Sequence, residues 1–134
     1  MKRIRVVAAI INYNEKILCC KRGPHKFNYL SNKWEFPGGK IELGETEEVA
    51  LRREIKEELE LTIDDLNYFI TVTHRYEDFE IEMSSYFAET NEPNLKLNEH
   101  TEAEWSNIQD LNNYDWAEAD IPIVEALLKK SVND

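Results

Sequence analysis

Gly39-Lys-Ile-Glu-Leu-Gly-Glu45-Thr-Glu-Glu-Val-Ala-Leu-Arg-Arg53-Glu54-Ile55-Lys-Glu57-Glu58-Leu-Glu60-Leu61 is the most informative stretch of the chain. The Gly38-Gly39 pair reads as a tight turn that feeds a helix. Thr46 suits the N-cap, and Glu47 and Glu48 suit the first turn. Leu51, Ile55 and Leu59 recur every four residues and form an apolar stripe. Beside it stand Glu54, Glu57 and Glu58, at i, i+3 and i+4, with Cβ atoms roughly 5–6 Å apart. At that spacing two carboxylates repel by about 3 kcal/mol for an effective dielectric near 20. A solvated helix tolerates this crowd. At the rim of a core it calls for a cation, and hard divalent ions take oxygen ligands.

The segment resembles the Nudix box, Gly-x5-Glu-x7-Arg-Glu-U-x-Glu-Glu-x-Gly-U, with U a bulky aliphatic residue. Gly39, Glu45, Arg53, Glu54, Ile55, Glu57, Glu58 and Leu61 fall on it, and Glu60 replaces the second glycine. A left-handed helix end costs a non-glycine residue about 1 kcal/mol or more, so the end is expected to differ in detail. The resemblance implies a Nudix hydrolase and a cofactor of Mg²⁺, with Mn²⁺ tolerated. It further implies that Glu54, Glu57 and Glu58 face the metal together with the carbonyl of Gly38. Glu54 then acts as general base or bridges to the metal, and Arg53 orients the glutamates; Arg53, Glu54 and Glu57 are the catalytic set. Glu45 supports the loop and helix. Glu99, six residues before Trp105, matches a metal-site glutamate of MutT-type members.

The chain has 134 residues, enough for one domain spanning 1–134 that buries roughly two-thirds of its unfolded surface. Its formal net charge of −11 argues against nucleic-acid polymers, which require basic patches. A small nucleotide is compatible if metal supplies positive charge. Cys19 and Cys20 are adjacent, so in a strand they face opposite ways, which disfavours a disulfide between them. The apolar run Ile4 to Ile11, broken by Arg5, is too short for a membrane span. Together these point to a cytoplasmic protein.

Val6–Ile11 reads as a buried strand, returning through Asn12–Glu15 into a strand over Lys16–Lys21. Residues 22–33 read as a loop. Leu66–Tyr76 and Glu80–Glu89 read as long strands joined at Glu77-Asp78, Glu102–Ser106 as a short strand, and Ile121–Lys130 as a closing helix. The pattern is α+β. The resemblance, running from Arg3 to about Leu128, implies the Nudix α/β/α sandwich with a mixed sheet. It leaves monomer and homodimer open.

Trp34-Glu-Phe-Pro-Gly-Gly-Lys-Ile-Glu, Glu99-His-x4-Trp105 and Trp116-Ala-Glu-Ala-Asp120-Ile-Pro-Ile resemble the MutT and CTP pyrophosphohydrolase branch. There, the position of Asp120 contacts the base edge and that of Arg22 approaches the sugar or base. An ionised carboxylate only accepts hydrogen bonds, which suits the N4 amine of cytosine and repels guanine O6. The expected substrate is therefore CTP or dCTP, with or without a C5 modification, and 8-oxo-dGTP is the alternative. Asp120 also precedes Ile121-Pro122, where it would suit a helix N-cap. His100 is a weaker candidate for phosphate or a loop hydrogen bond, and His25 and His74 carry no pairing signature. Phe27, Tyr29 or Phe79 could stack on a base, and none is assigned. The contrasting class is a catalytically silent nucleotide sensor, which the retained glutamates disfavour.

Overall fold

A computed structural model describes residues 1–133. Two strand layouts meet on β1 (Arg3–Tyr13). On one side it runs parallel to β6 (Glu80–Glu89) over ten residues, from Arg3 opposite Glu80 to Asn12 opposite Glu89. On the other it is shared: Asn12 and Tyr13 pair with β2 (Lys16–Lys21), while Val6–Ala8 pair with β4 (Gly38–Lys40). Beyond β2 lie β3 (Trp34–Glu35) and β7 (Glu102–Ser106), and beyond β6 lies β5 (Asp64–Arg75). The sheet is mixed, as expected, and splits where β1 passes from β2 to β4.

Side-chain alternation decides the layers. Val7, Ala9 and Ile11 pack under α1 (Glu47–Leu59) with Ala50, Leu51, Ile55 and Leu59. Ala8 and Ile10 pack on the opposite side with Ile123, Val124 and Leu127 of α2 (Ile121–Asn133). Cys19 and Cys20 go to opposite cores, both free and buried. Burial pushes the Cys19 thiol up to about 12 and the Cys20 thiol well above its ordinary value. No described helix is long and apolar enough to cross a membrane.

Several local expectations change in the fold. Gly38 and Gly39 form a strand rather than a turn, because the chain must lie directly against β1. A Cβ on Gly38 would sit 1.9 Å from the Val7 carbonyl oxygen. The helix keeps its left-handed end without glycine: Glu60 adopts φ 55°, ψ 35°, and its N–H donates to the Lys56 carbonyl at 3.0 Å. Residues 96–98 fold over that end, with the Lys96 and Asn98 N–H groups donating to the Leu59 and Glu58 carbonyls. Tertiary contacts therefore satisfy the terminal acceptors that a glycine-led cap ordinarily serves. β5 begins at Asp64, ahead of the expected Leu66, and α2 runs to Asn133. Two short 3-10 turns, Ile108–Asn113 and Glu118–Asp120, carry the chain into α2.

Candidate active site

Thr46 starts α1 as anticipated, its hydroxyl accepting from the Val49 N–H at 3.2 Å. Along the helix the three carboxylates occupy different environments. Glu57 is exposed, Glu54 is mostly covered, and Glu58 is buried at 3% exposure. The expected acidic rim is thus a gradient running from solvent into the core. Burial, with the charges of Glu35, Glu54 and Glu99 added, pushes the Glu58 carboxyl up to about 9. Its Oε2 has no hydrogen-bond partner among the described residues.

Arg53 braces the outer carboxylates. Its Nε and Nη2 donate to the two oxygens of Glu45 at 2.7 and 2.8 Å. Its Nη1 donates to Glu54 at 2.8 Å and to Glu57 at 3.3 Å, and Nη2 also reaches the Lys40 carbonyl. A planar fork serves this many acceptors at once, which a point charge does not. The Arg53 hydrogen bonds, joined by the Glu42 N–H, hold the Glu45 carboxyl down at about 2. Glu54 shifts upward through burial, against Arg53, with Glu57 and Glu99 adding to the rise. The Glu54 carboxylate rests on the bare α-carbon of Gly39, where a Cβ would lie 2.4 Å from it.

The structure brings Glu99 to the same place. It acts electrostatically on both Glu54 and Glu58, from a loop some forty residues downstream. Gly38 lies beside Gly39 on β4. Carboxylates on this flank, with one buried oxygen unpartnered at Glu58, offer the kind of oxygen donors that a hard divalent cation takes.

A second group lies along β2, β3 and the 3-10 turn. Arg22 donates through Nε to Glu35 Oε1 at 2.7 Å, and His100 Nε2 lies 2.9 Å from Glu35 Oε2. Burial alone would lower the Arg22 pKa, but Glu35 and Asp120 raise it. Asp120 is 4% exposed, and its Oδ1 accepts from the Phe36 N–H at 3.0 Å. It caps the strand-end amide of another element. Burial, then Glu35, pushes its carboxyl well above the usual range against the Phe36 N–H and Arg22. The fold therefore disfavours the charged form of Asp120, which the sequence reading treated as an ionised acceptor. Local spacing gives no sign of this, because residues 35, 36 and 120 meet only through the fold. Glu35 itself was missed: it sits inside the quoted Trp34–Glu42 stretch, but no nearby residue reveals its partners. His25 and His74 stay outside both groups, bonding within the 25–31 loop and to Glu118.

The profile of the NUDIX domain matches residues 1–127. Over 128 residues the chain is 33% identical to the 8-oxo-dGTP diphosphatase of Escherichia coli K12, covering 95% of this chain and 98% of that protein. It is also 33% identical to the CTP pyrophosphohydrolase of the same organism, covering 96% and 93%. The solution structure of MutT, a Nudix hydrolase from methicillin-resistant Staphylococcus aureus 252, superposes with a TM-score of 0.73. It is 38% identical, covering 97% of this chain and 99% of that one.

Proposed function

The chain belongs to the Nudix family, and from that footing we propose that it hydrolyses a nucleoside triphosphate to the monophosphate and pyrophosphate with Mg²⁺, or with Mn²⁺ in its place. Glu54, Glu57, Glu58, Glu99 and the Gly38 carbonyl would hold the cation. When bound, it polarises the phosphoryl group and lowers the pKa of bound water. Glu54 would take the proton from the attacking water or bridge to the cation, and Arg53 on one side with Gly39 on the other, leaving its carboxylate little freedom, supports such a role. Arg53 keeps Glu45, Glu54 and Glu57 in register and transfers no proton itself. Water attack on the α- or the β-phosphorus breaks the P–O–P link between them, and the bridging oxygen leaves with the phosphoryl group that is not attacked, pyrophosphate in the first case and the monophosphate in the second.

The observation that carries this reading is Glu58. A buried carboxyl with an unbonded oxygen, set among Glu35, Glu54 and Glu99, is costly unless a proton or a cation neutralises it. Calorimetric titration with Mn²⁺, followed by pyrophosphate release from a nucleotide panel, tests the proposal. No metal uptake with or without nucleotide would end it.

The base is read at Asp120, with Arg22 on the sugar side. A neutral acid offers an O–H donor beside a carbonyl acceptor. Cytosine matches that pair with N3 and the N4 amine. An oxidised guanine matches it with O6 and a ring N–H. Burial of Asp120 weakens the repulsion expected towards guanine O6, so 8-oxo-dGTP keeps its place as the second reading beside CTP and dCTP. The two relatives at 33% identity divide in the same way. Comparing kcat/KM for CTP, dCTP and 8-oxo-dGTP separates the two, with a tenfold preference deciding.

A further inference from the structure

Glu99 is exposed and makes no side-chain hydrogen bond among the described residues, yet both of its neighbours are tied down. On one side, the Asn98 N–H donates to the Glu58 carbonyl at 3.0 Å and its Nδ2 donates to the Glu57 carbonyl at 2.8 Å. On the other, His100 is buried, with Nε2 2.9 Å from Glu35 Oε2 and 3.9 Å from Glu58 Oε1. Thr101 follows, its N–H donating to the Lys21 carbonyl at 2.9 Å. The second oxygen of Glu35 accepts from Arg22 Nε at 2.7 Å. Glu35 is therefore a single carboxylate shared between the side chain facing the nucleoside and the loop that carries Glu99.

We infer that His100 and Glu35 form a buried latch that positions Glu99 over α1, and that Glu35 links this latch to Arg22. This rests on Glu99 being a metal ligand, as proposed above. A carboxylate accepts hydrogen bonds, so Glu35 selects the His100 tautomer that carries hydrogen on Nε2. His100 Nδ1 has no partner among the described residues, so the ring is held from one end. The donors of Glu35, Glu58 and His100 lie within 4.8 Å of one another, a spacing that would also suit a small metal ion. Arg22 argues against an ion here: its guanidinium already supplies the positive charge to Glu35, and His100 Nε2 is spent on the same carboxylate. Two separate anchors flanking one exposed carboxylate are what a positioning device requires, because fixing the backbone on both sides restricts the side chain between them.

The test compares His100→Ala, His100→Gln, Asn98→Ala and Glu35→Gln with the wild-type chain. Mn²⁺ affinity is read by electron paramagnetic resonance on the free protein, together with kcat, KM and melting temperature. His100→Ala should weaken Mn²⁺ binding by about 10- to 100-fold and lower kcat, with KM for the nucleotide moving less than about threefold. His100→Gln, whose side-chain amide can again donate to Glu35, should recover most of the affinity. Asn98→Ala, an exposed change, should weaken Mn²⁺ in the same direction without unfolding the chain. Glu35→Gln should disturb both Mn²⁺ affinity and KM, since it loosens Arg22 as well. Wild-type Mn²⁺ affinity in folded His100→Ala and Asn98→Ala overturns the latch and leaves the proposed metal site standing. A wild-type protein that takes up no Mn²⁺ overturns both.

Discussion

Replacing Asp120 by asparagine exchanges one oxygen for nitrogen and keeps the shape of the side chain. Oδ1 can still accept from the Phe36 N–H, now at 3.0 Å, so the contact between β3 and the turn before α2 survives. The neutral acid has an O–H at the remaining position, and asparagine puts an N–H there. If Asp120 works uncharged, the donor and acceptor pair is preserved. The kcat/KM for the preferred nucleotide should then stay within about threefold, less than ~1 kcal/mol of transition-state stabilisation. If it works as an ionised acceptor for a base amine, asparagine sets donor against donor. Leaving such a group unsatisfied costs about 1–3 kcal/mol, roughly a 5- to 150-fold loss. Stability gives an independent reading. An acid whose folded pKa is raised stabilises the fold fully below its unfolded pKa of about 3.9, and that contribution is lost as pH rises towards the folded value. Asparagine has no such dependence, so Asp120→Asn should melt above the wild type at pH 7 and match it near pH 3.5. Steady-state pyrophosphate release and thermal melts from pH 3.5 to 8 supply both readouts. A loss beyond about 50-fold, with melting temperatures equal at every pH, would refute the neutral acid.

Gly39→Ala places a methyl group 2.4 Å from the Glu54 carboxylate, so Glu54 must move. Turnover should fall by about 100-fold, the usual effect of displacing a reacting group by ~1 Å, and unaltered turnover would show that this position of Glu54 is not used. Glu58→Gln closely copies the protonated carboxyl that a pKa near 9 implies, so the metal-free protein should melt as the wild type does at pH 7. The rise in melting temperature on adding Mn²⁺ should disappear in this variant; a full rise removes Glu58 from the ligand set. Glu45 is depressed to about 2, so its bond to Arg53 stabilises the fold above the unfolded pKa of about 4.3 and is lost as pH falls towards 2. Urea midpoints between pH 2 and 6 should fall less steeply in Glu45→Gln than in the wild type, and parallel curves would contradict the assignment.

Helical geometry is local, and this is why α1 could be read directly. The spacing of Glu54, Glu57 and Glu58 places them on one flank whatever surrounds the helix, and Thr46 caps by reaching three residues ahead. Strand alternation is equally local, so the opposite burial of Cys19 and Cys20 followed from adjacency. Depth was not local. Whether a carboxylate on that flank meets water or core depends on the sheet beneath it and on residues 96–101 folding over the helix end, which separates exposed Glu57 from buried Glu58. The left-handed turn at Glu60 survived the loss of glycine for the same reason, since distant amides bond the carbonyls there.

Residue spacing alone determined the acidic helix and the α+β pattern, and the resemblance of the box added the mixed sheet and the family. Register determined the rest. Only the tertiary fold brings Glu35 to His100 across 65 positions and Asp120 to the Phe36 amide across 84. Whether a carboxyl carries charge is set by the dielectric and the neighbours that long-range packing places around it, and no spacing along a chain encodes those.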